Sequence, residues 1–267
     1  MKKTFRRFAF LLLLLPLSIL AACGAKSIAA IDITERLEND PTITWGVKVD
    51  TNLFGLYNIA TGEIEGFDID IAKALTEVIT GDAANANFVE VTSKTRIPLL
   101  KNGNIDAIIA TMTISEERKK QVDFSEVYFD AGQALLVPED SSIQSVTDLS
   151  SETTVLAVKG STSATNIRKH APDTHVLELE NYSEAFTALQ SGQGDAMTTD
   201  SAILLGIIAE NPGYRLAGGT FTDEPYGIAI NHGQENFVDA VNAAFETIKE
   251  NGVYDAIYAK WIPETDD

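Results

Sequence analysis

Thr42–Val49 (TITWGVKV), the helical face at Ile71, Leu75, Val78 and Ile79, and the run Ala107–Thr111 together decide the fold. The first run is short, apolar and rich in β-branched residues, the composition of a buried strand. The four apolar residues that follow recur at helical spacing, and Ala107–Thr111 reads again as a strand. Strand, helix and strand in that order predict an α/β fold with largely parallel pairing.

The same order returns further along the chain. Thr154–Val158 reads as a strand, Ser183–Leu189 as a helix begun by a Ser cap, Ala196–Thr199 as a strand end and Ser201–Ile208 as a helix. Phe237, Val241, Ala244, Phe245 and Ile248 form one stripe of a final long helix. The chain exceeds a single core of about 100–150 residues, so two lobes are expected with a ligand between them. Gln133–Val137 and Tyr226–Ile230 are the expected crossing segments, which makes the first lobe discontinuous: 40–131 and 226–263, with 132–225 as the second lobe.

Of the 267 residues 45 % are apolar, which excludes a mainly disordered chain. Twenty basic residues against 39 acidic ones give a net charge of −19, and such a chain repels nucleic acid. A single Cys excludes an internal disulfide, and three scattered His do not make a zinc site. No metal and no cofactor is expected.

Lys2, Lys3, Arg6 and Arg7 precede the apolar run Phe8–Ala22, which Pro16 interrupts and which is too short to span a bilayer; residues 1–22 read as an export signal. Leu20-Ala21-Ala22-Cys23 resembles the lipobox of bacterial lipoproteins, which implies that Cys23 is lipidated and becomes the N-terminus; an ordinary signal peptide with Cys23 as bystander is the alternative. Acyl chains, at about 0.8 kcal/mol per buried CH₂, hold a soluble body at a membrane surface. Residues 23–39 are then the lipidated N-terminus and tether of an extracytoplasmic protein.

Gly66-Phe67-Asp68-Ile69-Asp70-Ile71-Ala72, Asn102-Gly103-Asn104-Ile105-Asp106-Ala107, Thr113-Ile114-Ser115-Glu116-Glu117-Arg118 and Val122-Asp123-Phe124-Ser125, with Tyr128 beyond, follow one another in order. Val158-Lys159-Gly160-Ser161-Thr162, Gly192 with Asp195-Ala196, Tyr226-Gly227-Ile228-Ala229, and Gly252 with Tyr258, Lys260 and Trp261 continue the series. The series resembles the polar amino-acid substrate-binding proteins of ABC importers, of the glutamate, aspartate and glutamine group. The resemblance implies the two-lobed type II periplasmic-binding-protein fold, with the ligand cleft between lobes joined by two crossing strands. It also implies a monomeric receptor, not an enzyme, that delivers one polar L-amino acid to an ABC permease with a cytoplasmic ATPase.

A zwitterionic ligand needs a guanidinium and N–H groups for its carboxylate, and a carboxylate for its ammonium, because neither charge is buried unpaired. Arg118 follows Ser115, which can cap a helix beginning at Glu116; on pattern alone it is one more solvated helix charge, whereas the resemblance assigns it to the α-carboxylate. Thr162 and Ser163 stand where a helix begins after a strand and a Gly, a position that favours an anion. Asp200 reads as an N-cap on pattern alone, and the resemblance assigns it to the ammonium. Thr113 and Thr111 are matched to main-chain contacts with the ligand.

Arg96, in Thr92–Leu100, stands before Ile97-Pro98-Leu99-Leu100 as in relatives that resemble glutamate and aspartate binders, which favours a second ligand carboxylate. A guanidinium also donates to the amide oxygen of glutamine, the next choice, and Lys94 with Arg96 also fits a solvated loop. The resemblance implies that Asp50, Leu53 and Phe54 fall on the wall facing the ligand's aliphatic part, Phe54 as an apolar lid and Asp50 orienting Arg96 or Lys159. Lys159 either contacts a side-chain carboxylate or pairs with Asp200. Asp68 and Asp70 read as helix capping and dipole complementation. The alternative function is a secreted enzyme on the same fold, such as a cyclohexadienyl dehydratase, but no G-x-S-x-G or H-E-x-x-H sequence accompanies His170, His175 or His232.

Overall fold

The computed structural model describes residues 31–263. The export signal and Cys23 lie outside the described residues. Helix α1 (Ile33–Leu37) precedes β1 (Ile43–Val47), a small antiparallel sheet of β2 (Asp50–Thr51), β3 (Gly55–Asn58) and β4 (Glu63–Glu65), and helix α2 (Phe67–Thr80). Next come β5 (Ala86–Glu90), α3 (Arg96–Lys101), β6 (Ala107–Ile108), α4 (Glu116–Lys119) and β7 (Asp123–Phe129). Then follow β8 (Gln133–Pro138), β9 (Thr154–Val158), α5 (Ser163–His170), β10 (His175–Leu179), α6 (Tyr182–Gln190), β11 (Ala196–Asp200), α7 (Ser201–Glu210) and β12 (Tyr214–Ala217). β13 (Tyr226–Ile230), α8 (Glu235–Glu250) and α9 (Val253–Trp261) complete the chain.

Two five-stranded sheets organise these elements, in the orders β5-β1-β6-β13-β7 and β10-β9-β11-β8-β12. In each, three strands pair in parallel and the two remaining strands are antiparallel to their neighbours. The expected crossing stretches Gln133–Val137 and Tyr226–Ile230 are instead strands within one sheet each, β8 between β11 and β12 and β13 between β6 and β7. They are apolar because helices and neighbouring strands bury them. The change of sheet falls just before each, in residues 130–132 and 218–225. The second segment hydrogen-bonds to the first and to the start of β8: Glu224 N–H donates to the Ala131 carbonyl at 2.7 Å and Phe221 N–H to the Gln133 carbonyl at 2.9 Å. Two adjacent strap-like segments of this kind make a natural hinge.

The first sheet is covered by α2 and α8. Phe237, Val241, Ala244, Phe245 and Ile248 of α8 are all buried, as their stripe requires. Phe67 opens α2 and packs edge-on against Phe54 and Phe129, with ring centroids 5.9 and 5.7 Å apart. Truncating a buried aromatic leaves a cavity costing about 3–5 kcal/mol. Phe67→Ala is therefore expected to lower the urea midpoint sharply with an unchanged denaturant slope, as read by far-UV circular dichroism.

Two local expectations change. Helix α6 begins at Tyr182, and its cap is Asn181, whose side chain accepts from Glu184 N–H at 2.8 Å; Ser183 lies inside the first turn. The N-terminal segment is docked earlier than the expected tether to Asn39 allows. Ile33 is buried, its N–H donates to Gln234 Oε1 at 2.8 Å, and Gln234 Nε2 donates back to the Ile31 carbonyl at 2.8 Å. Arg36 then pairs with Asp106 at 2.8 Å. Any free tether ends before residue 31.

Candidate functional site

The ends of the first sheet's strands and the loops of the second meet between the lobes. Ser115 caps α4 by accepting from Arg118 N–H, and this short helix turns the Arg118 side chain inward, where it is buried. Its Nη1 donates to the Thr113 carbonyl at 2.8 Å, and its Nη2 reaches the second lobe at the Gly160 carbonyl, 3.1 Å away. Gly160 has φ +78°, and a Cβ there would lie 2.7 Å from the Ser93 carbonyl oxygen and 2.8 Å from the Lys94 backbone. Only a glycine lets the two lobes come this close.

Further contacts bridge the lobes. Tyr182 N–H donates to Asp50 Oδ2 at 2.8 Å, and Asn52 Nδ2 donates to the Gly206 carbonyl at 2.8 Å. The cleft is thus closed. Outside this contact it opens into a groove of about 690 Å³ bordered by Lys94, Arg118, Ser161 and Thr162.

Asp200 ends β11 and precedes α7, but its side chain does not cap the helix; it accepts from Tyr226 Oη at 2.6 Å across the crossing segments. Burial pushes its carboxyl up to about 7. A carboxylate held short of full ionisation by burial is a ready partner for a cation. Arg96, on the first turn of α3, is 2 % exposed; its Nη1 donates to the Ala110 carbonyl at 2.7 Å and its Nε has no partner. Burial pulls the guanidinium down to about 9, and the nearby Arg118 adds to the shift. Burial likewise holds Arg118 below its ordinary value.

Thr111 sits at φ +47°, its N–H donating to Asp68 Oδ2 at 3.0 Å and its hydroxyl to the Ala110 carbonyl. Its carbonyl is the group left to offer a ligand. Thr113 gives its carbonyl to Arg118 and so orients the guanidinium. Thr162 precedes α5 without capping it and donates its hydroxyl to Glu224 Oε2 at 2.8 Å; Ser163 is buried beside it, its carbonyl accepting from Gln133 Nε2. These residues, with Asp50, converge.

Two expected site residues are placed otherwise. Phe54 is no lid: it is fully buried, edge-on to Phe67, Phe129 and Tyr226, so it backs the strand that carries Tyr226. Leu53, with φ +69°, is the neighbour that meets the second lobe, its Cγ lying 3.1 Å from where a Gly206 Cβ would stand. Lys159 neither enters the cleft nor pairs with Asp200; it forms a half-exposed ion pair with Glu180, which Lys94 also approaches at 3.6 Å. A long, well-hydrated ammonium stays in water when a carboxylate is within reach there.

Four buried groups are not placed in the site by the sequence reading, which takes Asp68 as helix capping and does not single out the other three. Asp68 accepts from Thr111 N–H and from Tyr128 Oη, both at 3.0 Å, and burial raises its carboxyl to about 7; it holds the ligand-facing loop rather than capping α2. Asp70, its partner in the D-x-D pair, binds Lys260 Nζ at 2.6 Å and Trp261 Nε1 at 2.7 Å. Glu224, 3 % exposed, accepts from Thr162, from Asn166 Nδ2 at 2.6 Å and from Thr222 Oγ1 at 3.0 Å. Lys48 and Tyr182 face each other across the cleft, the ammonium 4.8 Å from the ring centroid. No short-range signal places these four in the site, because each is buried by residues distant in the chain.

The arrangement sets buried cations of the first lobe, Arg96 and Arg118, against a buried carboxylate at the end of β11. The chain is similar to known proteins. The chain is 56 % identical over 271 residues to the ABC transporter glutamine-binding protein GlnH of Bacillus subtilis (strain 168), covering 99 % of this chain and 98 % of that one. Among solved structures, an ancestral arginine-binding protein bound to glutamine is 42 % identical with a TM-score of 0.79, over 84 % of this chain and 99 % of that one. The ancestral amino acid-binding protein AncCDT-1, a precursor of cyclohexadienyl dehydratase, is 33 % identical with a TM-score of 0.79, over 87 % of this chain and 100 % of that one. Residues 43–264 match the bacterial extracellular solute-binding proteins, family 3. The chain therefore belongs to that family, and it has the two-lobed type II fold that its ordered motifs implied.

Proposed function

We propose that the protein is the extracytoplasmic receptor of an ABC importer and that its ligand is L-glutamine. Arg118 and the loop at Thr111–Thr113 hold the α-carboxylate, with Thr162 and Ser163 closing on it from the second lobe, and Asp200 takes the ammonium. The observation that carries this reading is the opposition of buried Arg118 to buried Asp200 across a closed cleft, which suits a zwitterion and nothing of a single charge. Glutamine is preferred to the acidic ligand that Arg96 alone favoured. Asp50, fixed by Tyr182 N–H, and Asp68 lie among the cations, so the side-chain end offers both an acceptor for an amide N–H and a donor for its oxygen. A second carboxylate there meets Asp50 as a like charge. The relative with 56 % identity that is named for glutamine supports the same choice.

Lobe boundaries follow the two sheets, with 40–131 and 226–263 in one and 132–225 in the other. Lipidation of Cys23 anchors the receptor, and Cys23→Ala is expected to release it into the soluble fraction with ligand binding intact. The test of the ligand is equilibrium dialysis of labelled glutamine against the amino-acid-stripped protein, competed by unlabelled glutamine, glutamate, aspartate, histidine and arginine. Displacement by glutamine at the lowest concentration supports the reading; displacement by glutamate or aspartate first refutes the amide assignment.

Asp200 adds a pH dependence with a definite sign. Its carboxyl, raised to about 7 by burial, must be ionised to hold the ligand ammonium. Below about pH 7 a proton has to leave on binding, so glutamine affinity is expected to fall by up to about tenfold per pH unit. Asp200→Asn is expected to bind weakly at every pH and to flatten that slope, which dialysis across the acid range checks.

A further inference from the structure

Lys48 follows β1 and is fully buried, yet among the described residues no carboxylate oxygen lies within 4.0 Å of its ammonium. Its Nζ donates to Ser93 Oγ at 3.0 Å and stands over the Tyr182 ring. Ser93 belongs to the first lobe and Tyr182 to the second, so the ammonium sits at the seam where the lobes meet. With one N–H given to a hydroxyl and a ring face beside it, two N–H donors of a fully buried ammonium are left without an oxygen acceptor among the described residues, an arrangement that is costly unless something else accepts from it.

The groups that face Lys48 come from every element around it. Asp50 of β2 and Asp68 of α2 draw on its charge, while Arg96 of α3 and Arg118 of α4 oppose it, and Tyr182 of α6 presents its ring. Burial pulls the ammonium down to about 7 in spite of Asp50. Lys48, Arg96 and Arg118 thus make one buried cationic wall, of which Arg118 is assigned to the α-carboxylate and Lys48 lies on the side of Asp50 and Tyr182.

We propose that Lys48 determines side-chain specificity, its ammonium donating to the carbonyl oxygen at the end of the ligand's side chain and rejecting amino acids whose side chains are cationic. This inference rests on the amino-acid receptor reading above. An oxygen acceptor completes the ammonium and forms a charge-assisted hydrogen bond. A guanidinium or ammonium in the same place meets the buried Lys48 and Arg96 as like charges. A similar solved protein described as arginine-binding is bound to glutamine, so one scaffold takes either ligand.

The test is calorimetric titration of the wild-type protein and of Lys48→Met with glutamine and with arginine at neutral pH, thermal unfolding confirming that the variant is folded. Wild type is expected to bind glutamine and to give no heat with arginine. Lys48→Met is expected to bind glutamine about 10–100-fold more weakly and to gain measurable arginine binding. Wild type that binds glutamine beside a folded variant with unchanged affinity for it and no response to arginine overturns the Lys48 assignment alone. Wild type that binds no amino acid overturns the receptor reading and this inference with it. An arm that needs no variant follows the Lys48 ¹⁵Nζ resonance of wild type against pH with and without glutamine. Its midpoint is expected to rise by about one pH unit or more when glutamine is bound, and a midpoint that stays in place overturns the assignment.

Discussion

Arg118→Ala is expected to abolish useful binding of every α-amino acid, with an affinity loss of about 10²–10³-fold. Truncating one partner of a buried, hydrogen-bonded charge pair costs about 2–5 kcal/mol, much of it from leaving the other charge unpaired. On the proposed reading the unpaired charge is the ligand's own α-carboxylate, so the loss does not depend on the side chain. Two more contacts go with it. The guanidinium ties the Thr113 carbonyl to the Gly160 carbonyl of the opposite lobe, and its loss weakens closure as well as capture. Arg118→Lys is expected to recover little, because an ammonium does not present the planar fork that reaches both carbonyls and a carboxylate at once. Titration calorimetry with glutamine reads the effect, and wild-type affinity in Arg118→Ala removes Arg118 from the site.

Gly160→Ala is expected to bind glutamine about 10–100-fold more weakly because it keeps the cleft from shutting. The added Cβ lies 2.7 Å from the Ser93 carbonyl oxygen and 2.8 Å from backbone atoms of Lys94, and backbone cannot step aside as a flexible side chain can. A ligand held from both lobes must favour the closed state, so whatever penalises closure subtracts directly from affinity. The substitution also strains the backbone, since Gly160 has φ +78°. Gly192→Ala separates the two effects: that glycine has φ +70° with nothing within 4 Å of a new Cβ. Both variants are expected to lose stability by about 1–2 kcal/mol, but only Gly160→Ala is expected to lose affinity. With saturating glutamine its radius of gyration in small-angle scattering should remain at the ligand-free value. A Gly160→Ala protein that compacts and binds like wild type contradicts the closed-cleft account.

Much of this was legible in the sequence, and the boundary between what was and was not has a physical cause. Strand Ile43–Val47, helix Phe67–Thr80 and the stripe on Glu235–Glu250 declare themselves because periodicity is local. Arg118 and Asp200 were singled out by their place in ordered motifs, although on local pattern each passes for something ordinary. The structure supplies the difference: Arg118 leaves the exposed face of its helix, and Asp200 turns from its helix to Tyr226. Phe54 reads as a cleft residue from its neighbours, but burial against Phe67, Phe129 and Tyr226 is decided by residues up to 172 positions away. Lys159 similarly finds Glu180, which no spacing rule connects to it.

Lys48 is the most telling omission. In Val47-Lys48-Val49 it looks like the solvent-facing residue of an alternating strand. It is buried because the second lobe brings Tyr182 over it, an event invisible to any local window. The crossing segments were displaced for a related reason. Apolar runs mark what is buried, and the hinge, at 130–132 and 218–225, lies beside the buried strands rather than in them.

One glutamine is expected between the two lobes with its main-chain charges on Arg118 and Asp200. A crystal structure of the protein grown with glutamine tests it most directly. The account requires the α-carboxylate on Arg118, the ammonium on Asp200 and the carboxamide turned toward Lys48, Arg96 and Asp50. A glutamine bound the other way round, or seated outside the cleft, contradicts it.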